Sequence, residues 1–144
     1  MGVGPRSSSG QMTVEFVIAF PVALIIALAC VNAVLFFSEC ASFDRLFRQM
    51  VCIYAASPAY EQDTDNTCSL IGAALEDEIN AEHIQCSVTS NGADGRIVSF
   101  AGTLKFQPTL FGMGPLTGAF GVSFPPLSHT AELSVDMYKS GVVL

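Results

Sequence analysis

The chain has 144 residues, of which 51% are hydrophobic, and a formal net charge of −7. This length allows one small domain in addition to a membrane segment. Seven of the thirteen acidic residues lie between Glu61 and Glu82, with no Lys or Arg among them, which argues against a nucleic-acid-binding protein because that class needs a basic surface.

An uncharged apolar stretch follows a short polar N-terminus. Residues 16–38 contain no charged side chain. A helix over residues 16–37 would be about 33 Å long, close to the roughly 30 Å of a bilayer core. The sequence therefore predicts a transmembrane helix with Glu15 at its edge. A lone charge inside such a segment costs on the order of 3 kcal/mol, so Glu15 requires an explanation.

A cleavage motif explains the position of Glu15. If the chain is cut after Gly10, Gln11 becomes the new N-terminus and Glu15 the fifth residue of the mature chain. The terminal ammonium of a neighbouring helical subunit would then neutralise the carboxylate. A small residue before the cut, Glu at the fifth mature position and a directly following apolar helix are the pattern of a prepilin signal.

This motif, continued by Phe16, aliphatic residues and Pro21, resembles the TadE-like pseudopilins, which are minor pilins of tight-adherence (Flp-type, type IV) pilus systems. The resemblance covers residues 10–48. It implies a prepilin leader at 1–10, the transmembrane half of a long helix at 11–38 and an extracytoplasmic pilin-like domain at 39–144. Mature pilins often begin with Phe or another apolar residue, and Gln11 departs from this.

The resemblance also implies a function and a location. The protein would be a substrate of prepilin peptidase and a non-enzymatic component in assembling an adhesion or surface pilus, with other pilins and the assembly platform as partners and no cofactor. It would be a single-pass protein of the bacterial cytoplasmic membrane, with its N-terminus in the cytoplasm. Whether it primes assembly, lies at the tip or stays in the membrane is left open.

Other interpretations of the N-terminus compete. A signal anchor would make Glu15 a flanking residue that reaches the interface, and the protein a membrane-anchored extracellular binding domain that does not polymerise. A small-x-small cleavage site ends at Ala29, and Ala29-Cys30 faintly resembles a lipoprotein processing site. The apolar residues 31–37 disfavour the last two, because they suit the second half of a membrane helix.

The long helix is predicted to continue beyond the membrane. Apolar residues recur at spacings of three and four over residues 43–54, a pattern that predicts a buried helix face to which the sheet docks. One helix is therefore expected over residues 12–56, after a disordered leader. The alternative is two helices with a break near Asn32 or Ser38. Pro21 predicts a kink or a loosened turn, because proline has no N–H to donate.

A second helix is predicted over residues 68–82, after an acidic loop at 57–67. Thr67 is the candidate N-cap. Asp63 and Asp65 suggest calcium, but the glycine and glutamate of an EF-hand loop are missing, so no metal site is predicted. The apolar residues expected to face inward share a helical spacing: Leu70, Ile71, Ala74, Leu75 and Ile79.

Alternating residues then predict strands. The first begins near Ile84, a turn follows at residues 91–95, and the second strand covers residues 96–106 with a bulge at Ala101-Gly102. The third covers residues 130–138. The predicted fold class is α+β, with a three-stranded antiparallel sheet packed on the lower half of the long helix, as in type IV pilins.

Between the second and third strands lies a long apolar loop at residues 107–128. Two outcomes are expected: the loop caps the sheet, or its large apolar residues form a patch for a partner. The residues of that patch are Phe111, Met113, Leu116, Phe120 and Phe124.

The cysteines are the remaining candidates for chemistry. Cys30 lies in the membrane helix and is expected to act as a small apolar residue. Outside the cytoplasm the other four are expected to form disulfides, with three complete pairings open; these are Cys40, Cys52, Cys68 and Cys86. No catalytic motif and no closely spaced metal-ligand pair is present, so neither an enzyme nor a metal protein is predicted.

Overall fold

The computed structural model describes residues 8–55, 63–94 and 97–136. The predicted helix stop at residues 57–58, the end of the third strand beyond residue 136 and the C-terminal tail lie outside these ranges. The described residues form two helices and a three-stranded antiparallel sheet, which confirms the α+β class.

The first helix, α1, runs from Ser8 to Tyr54 without a break. Its 47 residues span about 70 Å. The alternative of two helices broken near Asn32 or Ser38 is therefore wrong. The helix also begins four residues before the predicted start, so Gly10 lies inside it.

The second helix, α2, covers Thr64–Ile79 and is shifted from its predicted position. The predicted N-cap is wrong: Asp63 caps the helix, because its Oδ1 accepts a hydrogen bond of 2.7 Å from the Thr64 N–H. Thr67 is instead fully buried within the first turn. Leu70 was expected to face inward but is 40% exposed, whereas Ile71 and Leu75 are fully buried.

After α2, the described part of the chain contains five strands: β1 (Ile84–Asp94), β2 (Ile97–Phe106), β3 (Gly118–Ala119), β4 (Val122–Ser123) and β5 (Leu127–Asp136). The main sheet has the order β1-β2-β5, with antiparallel pairing throughout. The predicted turn at residues 91–95 is too long, since β1 still pairs with β2 at Asp94 and Ile97. The third strand of the sheet begins three residues earlier than predicted.

The predicted bulge at Ala101-Gly102 is also wrong. Both residues pair in regular register with β1, and the irregularity lies between Asn91 and Ala93. Gly102 has a different role, because a Cβ built on it would lie 2.7 Å from the Phe47 ring. The glycine lets α1 pack closely against the sheet.

The core lies between the C-terminal half of α1, α2 and one face of the sheet. Phe43, Phe47 and Val51 contribute from α1, and all three are fully buried. The rings of Phe43 and Phe47 stack with their centroids 5.8 Å apart. Docking by residues 43–54 is confirmed, except that Ile53 is 55% exposed and points away from the core.

The direction of β2 orients the domain on α1. Phe106, the last residue of β2, has its ring centroid 5.9 Å from that of Phe36, while Gly102 lies against Phe47 further along the helix. We call the Phe106 end of the sheet the proximal end, because it points toward the N-terminal half of α1. The distal end at Ile97 is about 30 Å away along the strand.

The segment between β2 and β5 is more ordered than predicted. It contains the short hairpin of β3 and β4 and an isolated bridge between Thr109 and Pro115. It does not bury its apolar residues as a cap: Phe111, Met113 and Phe120 are exposed, whereas Leu116 and Phe124 are half-buried.

Candidate functional site

The N-terminal half of α1 stands clear of the domain. Within the described residues, one helix is long and apolar enough to cross a membrane, and only 6% of its most apolar window is buried. Phe16 and Phe20 are 65% and 53% exposed. A core helix of a water-soluble protein would be mostly buried, so this surface needs lipid or other protein chains to cover it.

The residues of the predicted processing motif lie at the start of this free segment. Gly10, Gln11 and Glu15 are all exposed on α1. The amide Nε2 of Gln11 lies 3.4 Å from Oε1 of Glu15, one helical turn away, and a Cβ on Gly10 would meet no atom within 4 Å. The positions are therefore open to an enzyme or another subunit, and both cleavage and charge pairing stay predictions.

Pro21 lies within the helix. The helix continues on both sides of it, so the proline does not end the element. Its consequence is a missing N–H donor opposite the carbonyl of Val17, which leaves that turn less strongly bonded than its neighbours.

A hydrogen-bonded contact that the sequence did not predict joins α1 to the loop after β2. Asn32 is 4% exposed. Its Nδ2 donates to the carbonyl of Thr109 (3.0 Å), and its Oδ1 accepts from the Thr109 N–H (2.8 Å). Nδ2 also donates to the Leu28 carbonyl at 2.9 Å. A polar amide within the apolar segment is thus fully engaged, as burial requires.

Two phenylalanines occupy turns that favour glycine or asparagine. Phe111 and Phe120 both have φ of 51°, and each is followed by a glycine with positive φ, Gly112 and Gly121. The Met113 N–H donates to the Leu110 carbonyl at 2.9 Å across the first turn. The left-handed region costs a residue with a Cβ about 1–2 kcal/mol, so these exposed rings are held at an energetic cost.

A side-chain hydrogen bond joins β5 to α1. Nε2 of His129 lies 2.8 Å from Oδ1 of Asp44, and both side chains are partly exposed. The His129 ring also meets Phe43 edge-on, with 6.4 Å between centroids. This contact adds to the apolar docking of the sheet.

All five cysteines are free thiols in the structure, so none of the expected disulfides is formed in it. Cys40 and Cys52 lie about 18 Å apart along one helix, too far to pair with each other. Cys68 lies near Ser90, which is four residues from Cys86 on β1. Cys86 lies near Glu76, which is eight residues from Cys68 on α2. Cys68 and Cys86 are therefore not neighbours in this arrangement. Disulfides with partners outside this arrangement stay a prediction.

Cys40, Cys68 and Cys86 are poor nucleophiles. Burial raises the pKa of Cys40, and the carboxylates of Asp44 and Glu39 raise it further. Burial raises the pKa of Cys68 and of Cys86 in the same way. A raised pKa lowers the thiolate fraction at neutral pH. Among the described residues, no group of three His, Cys, Asp or Glu side chains is arranged to hold a metal ion.

Comparisons with protein-family models, curated proteins and solved structures find no match for this chain. The resemblance to TadE-like pseudopilins therefore rests on the N-terminal motif.

Proposed function

We propose that this protein is a TadE-like minor pilin or pseudopilin, cut after Gly10 by a prepilin peptidase and acting without catalysis in the assembly of a tight-adherence pilus. The main support is the division of α1. Its N-terminal half is apolar and exposed, and its C-terminal half carries the domain. A subunit that moves from bilayer to filament needs such a helix, which lipid covers first and other pilin helices cover later.

Glu15 would have its partner in an adjoining subunit. The carboxylate is exposed at the start of the apolar segment, where an isolated charge is costly. The new ammonium at Gln11 of a neighbouring mature chain would compensate it when the two helices pack in parallel. The C-terminal domain would lie on the extracytoplasmic side of the cytoplasmic membrane.

The processing step is tested by mass spectrometry of the protein extracted from membranes of its native cells. We expect a mature N-terminus at Gln11. Gly10→Leu should retain the leader, because the cleavage pattern requires a small residue before the cut. An intact leader on the unaltered protein would contradict the proposal and favour the non-polymerising membrane-anchored domain.

The charge-pairing step is tested separately. Glu15→Leu should leave insertion and cleavage intact and reduce co-purification with partner pilins. Glu39→Leu is the matched control, because it removes a carboxylate at the other end of the same apolar segment. Equal effects of the two substitutions, or normal co-assembly of Glu15→Leu, would contradict the pairing.

A further inference from the structure

The turn that follows β2 lies at the level of the predicted membrane segment. We call residues 109–115 the apolar turn. It is attached to Asn32 through the hydrogen bonds of Thr109. Asn32 lies six residues before Ser38, which is about 9 Å along the helix axis. A helix over residues 16–38 is about 35 Å long, about 5 Å more than a roughly 30 Å hydrocarbon core. Depending on which end of the helix carries this excess, Asn32 lies about 4–9 Å inside the edge of the hydrocarbon core.

A second buried residue of α1 lies on the N-terminal side of Asn32. Leu28, one turn away on the same face of α1, is only 3% exposed. The main sheet cannot cover it, because β2 ends at Phe106 beside Phe36. The segment that the structure hydrogen-bonds to α1 at this level is the loop, through Thr109 and Asn32, one turn from Leu28.

We propose that the apolar turn is a membrane-contacting element, which inserts Leu110, Phe111 and Met113 into the leaflet on the domain's side. These side chains are 40%, 59% and 79% exposed. They belong to the turn that Thr109 attaches to Asn32, within the apolar segment of α1. The inference rests on the membrane anchorage contained in the proposed function.

The charge pattern of the loop fits this environment. Residues 107–128 contain no Asp, Glu, Lys or Arg, in an otherwise acidic protein. A charged side chain at this depth would be costly, whereas exposed Phe and Met side chains gain from leaving water. The loop itself thus carries no charge where the bilayer would begin, and the charged side chains at this end of the sheet include Glu82, which lines one cavity with Thr109, Gly112 and Met113, and Lys105.

The backbone of the loop also satisfies the requirement that a bilayer imposes on irregular structure. Peptide groups that meet lipid need hydrogen-bond partners within the protein. Thr109 donates to Asn32, Leu110 to Gly114, Gly112 to Thr109 and Leu116 to Pro108. Pro108 and Pro115 have no N–H to satisfy. Few donors are therefore left that would need water.

The backbone conformation at Phe111 favours the same interpretation. An exposed turn position with φ of 51° suits asparagine better than phenylalanine. The large ring at this position does not fill the core, since it is 59% exposed. An apolar contact outside the chain accounts for it, and the lipid that surrounds the adjacent helix is the nearest one.

Tryptophan fluorescence in vesicles tests the insertion directly, because the chain contains no Trp. The full-length protein is reconstituted into phosphatidylcholine vesicles that carry bromine either near the glycerol end or near the methyl end of the acyl chain. We expect Phe111→Trp to show blue-shifted emission and a loss of fluorescence that is larger with bromine near the glycerol end. Met113→Trp should repeat the result.

Two matched variants separate the possible failures. Ile26→Trp, in the middle of the span, should be quenched most by bromine near the methyl end. Ile97→Trp, exposed at the distal end of the sheet, should not be quenched. If Ile26→Trp is quenched and Phe111→Trp and Met113→Trp are not, the insertion is wrong and the anchorage stands.

Two other outcomes overturn the inference in different ways. If Ile26→Trp is itself unquenched, the membrane anchorage is wrong, and the insertion of the turn is wrong with it. If Phe111→Trp is blue-shifted but unquenched, and the shift grows with the protein-to-lipid ratio, a second copy of the chain covers the turn instead of lipid.

Discussion

Phe20 and Phe47 lie on the same uninterrupted helix, yet Phe20 is 53% exposed and Phe47 is fully buried. The N-terminal half of α1 is apolar on every side and contacts the rest of the chain mainly at Asn32 and Leu28. The C-terminal half has one apolar stripe, on which the sheet and α2 pack.

The difference shows that apolar content alone does not decide which part of a helix enters a protein core. A helix that is apolar all round needs an apolar environment on all sides, whereas a stripe needs one partner. In α1 the stripe finds its partner within the chain. The N-terminal half does not find an apolar environment on all sides within the described chain. This supports a function that takes place in lipid and among other helices.

The largest expected effect comes from truncating one phenylalanine in each half. Phe47→Ala should lower the free energy of unfolding of the domain by about 3–5 kcal/mol, because it leaves a cavity in the packed core. Phe20→Ala should change it by less than about 0.5 kcal/mol. Hydrogen exchange of the β2 amides in the detergent-solubilised protein measures both. Equal losses would show that the two halves do not differ in this way.

The next effect comes from adding one methyl group where the helix meets the sheet. In Gly102→Ala, the new Cβ would lie 2.7 Å from the Phe47 ring, and the buried stack with Phe43 cannot move away freely. We expect a loss of about 1–3 kcal/mol, measured by the same exchange experiment.

Gly72→Ala is the control for that substitution. A Cβ at Gly72, inside α2, meets no atom within 4 Å. This change should stabilise the domain by about 0.5–1 kcal/mol, because glycine is unfavourable inside a helix. A loss at both glycines would mean that the close approach of Phe47 does not determine the result.

The sequence predicts those features of the fold in which the spacing of apolar side chains indicates a buried face. The stripe at residues 43–54 and the alternation of Ile84, Cys86 and Val88 are of this kind, and the structure packs both against the core. Each pattern is local, so it can be interpreted without knowing what packs against it.

Features that depend on a distant neighbour could not be predicted in this way. A glycine in a strand indicates either a bulge or a close approach, and at Gly102 only the position of Phe47 decides between them. Asn32 in an apolar helix signals a polar contact, but its partner Thr109 is 77 residues away. The motif of Gly10, Gln11 and Glu15 is local and recognisable, while its partners are separate molecules.

The smallest expected difference is between two thiols on the C-terminal half of α1. Cys40 is buried and Cys52 is exposed. Because burial, Asp44 and Glu39 raise the pKa of Cys40, the folded, reduced protein should be alkylated by N-ethylmaleimide more slowly at Cys40 than at Cys52 at neutral pH. The rate at Cys40 should keep rising above the ordinary thiol pKa, where its thiolate forms.

The same shift predicts how stability depends on pH. The folded state holds the Cys40 proton more tightly than the unfolded state, so its contribution is complete below the ordinary thiol pKa and is lost as pH rises through the folded value. Stability should therefore fall on the alkaline side.

In denaturant the rates of alkylation at Cys40 and Cys52 should converge, which shows that the difference depends on the fold. Equal rates in the folded protein would contradict the burial of Cys40, and labelling of all four domain cysteines without prior reduction would rule out the expected disulfides.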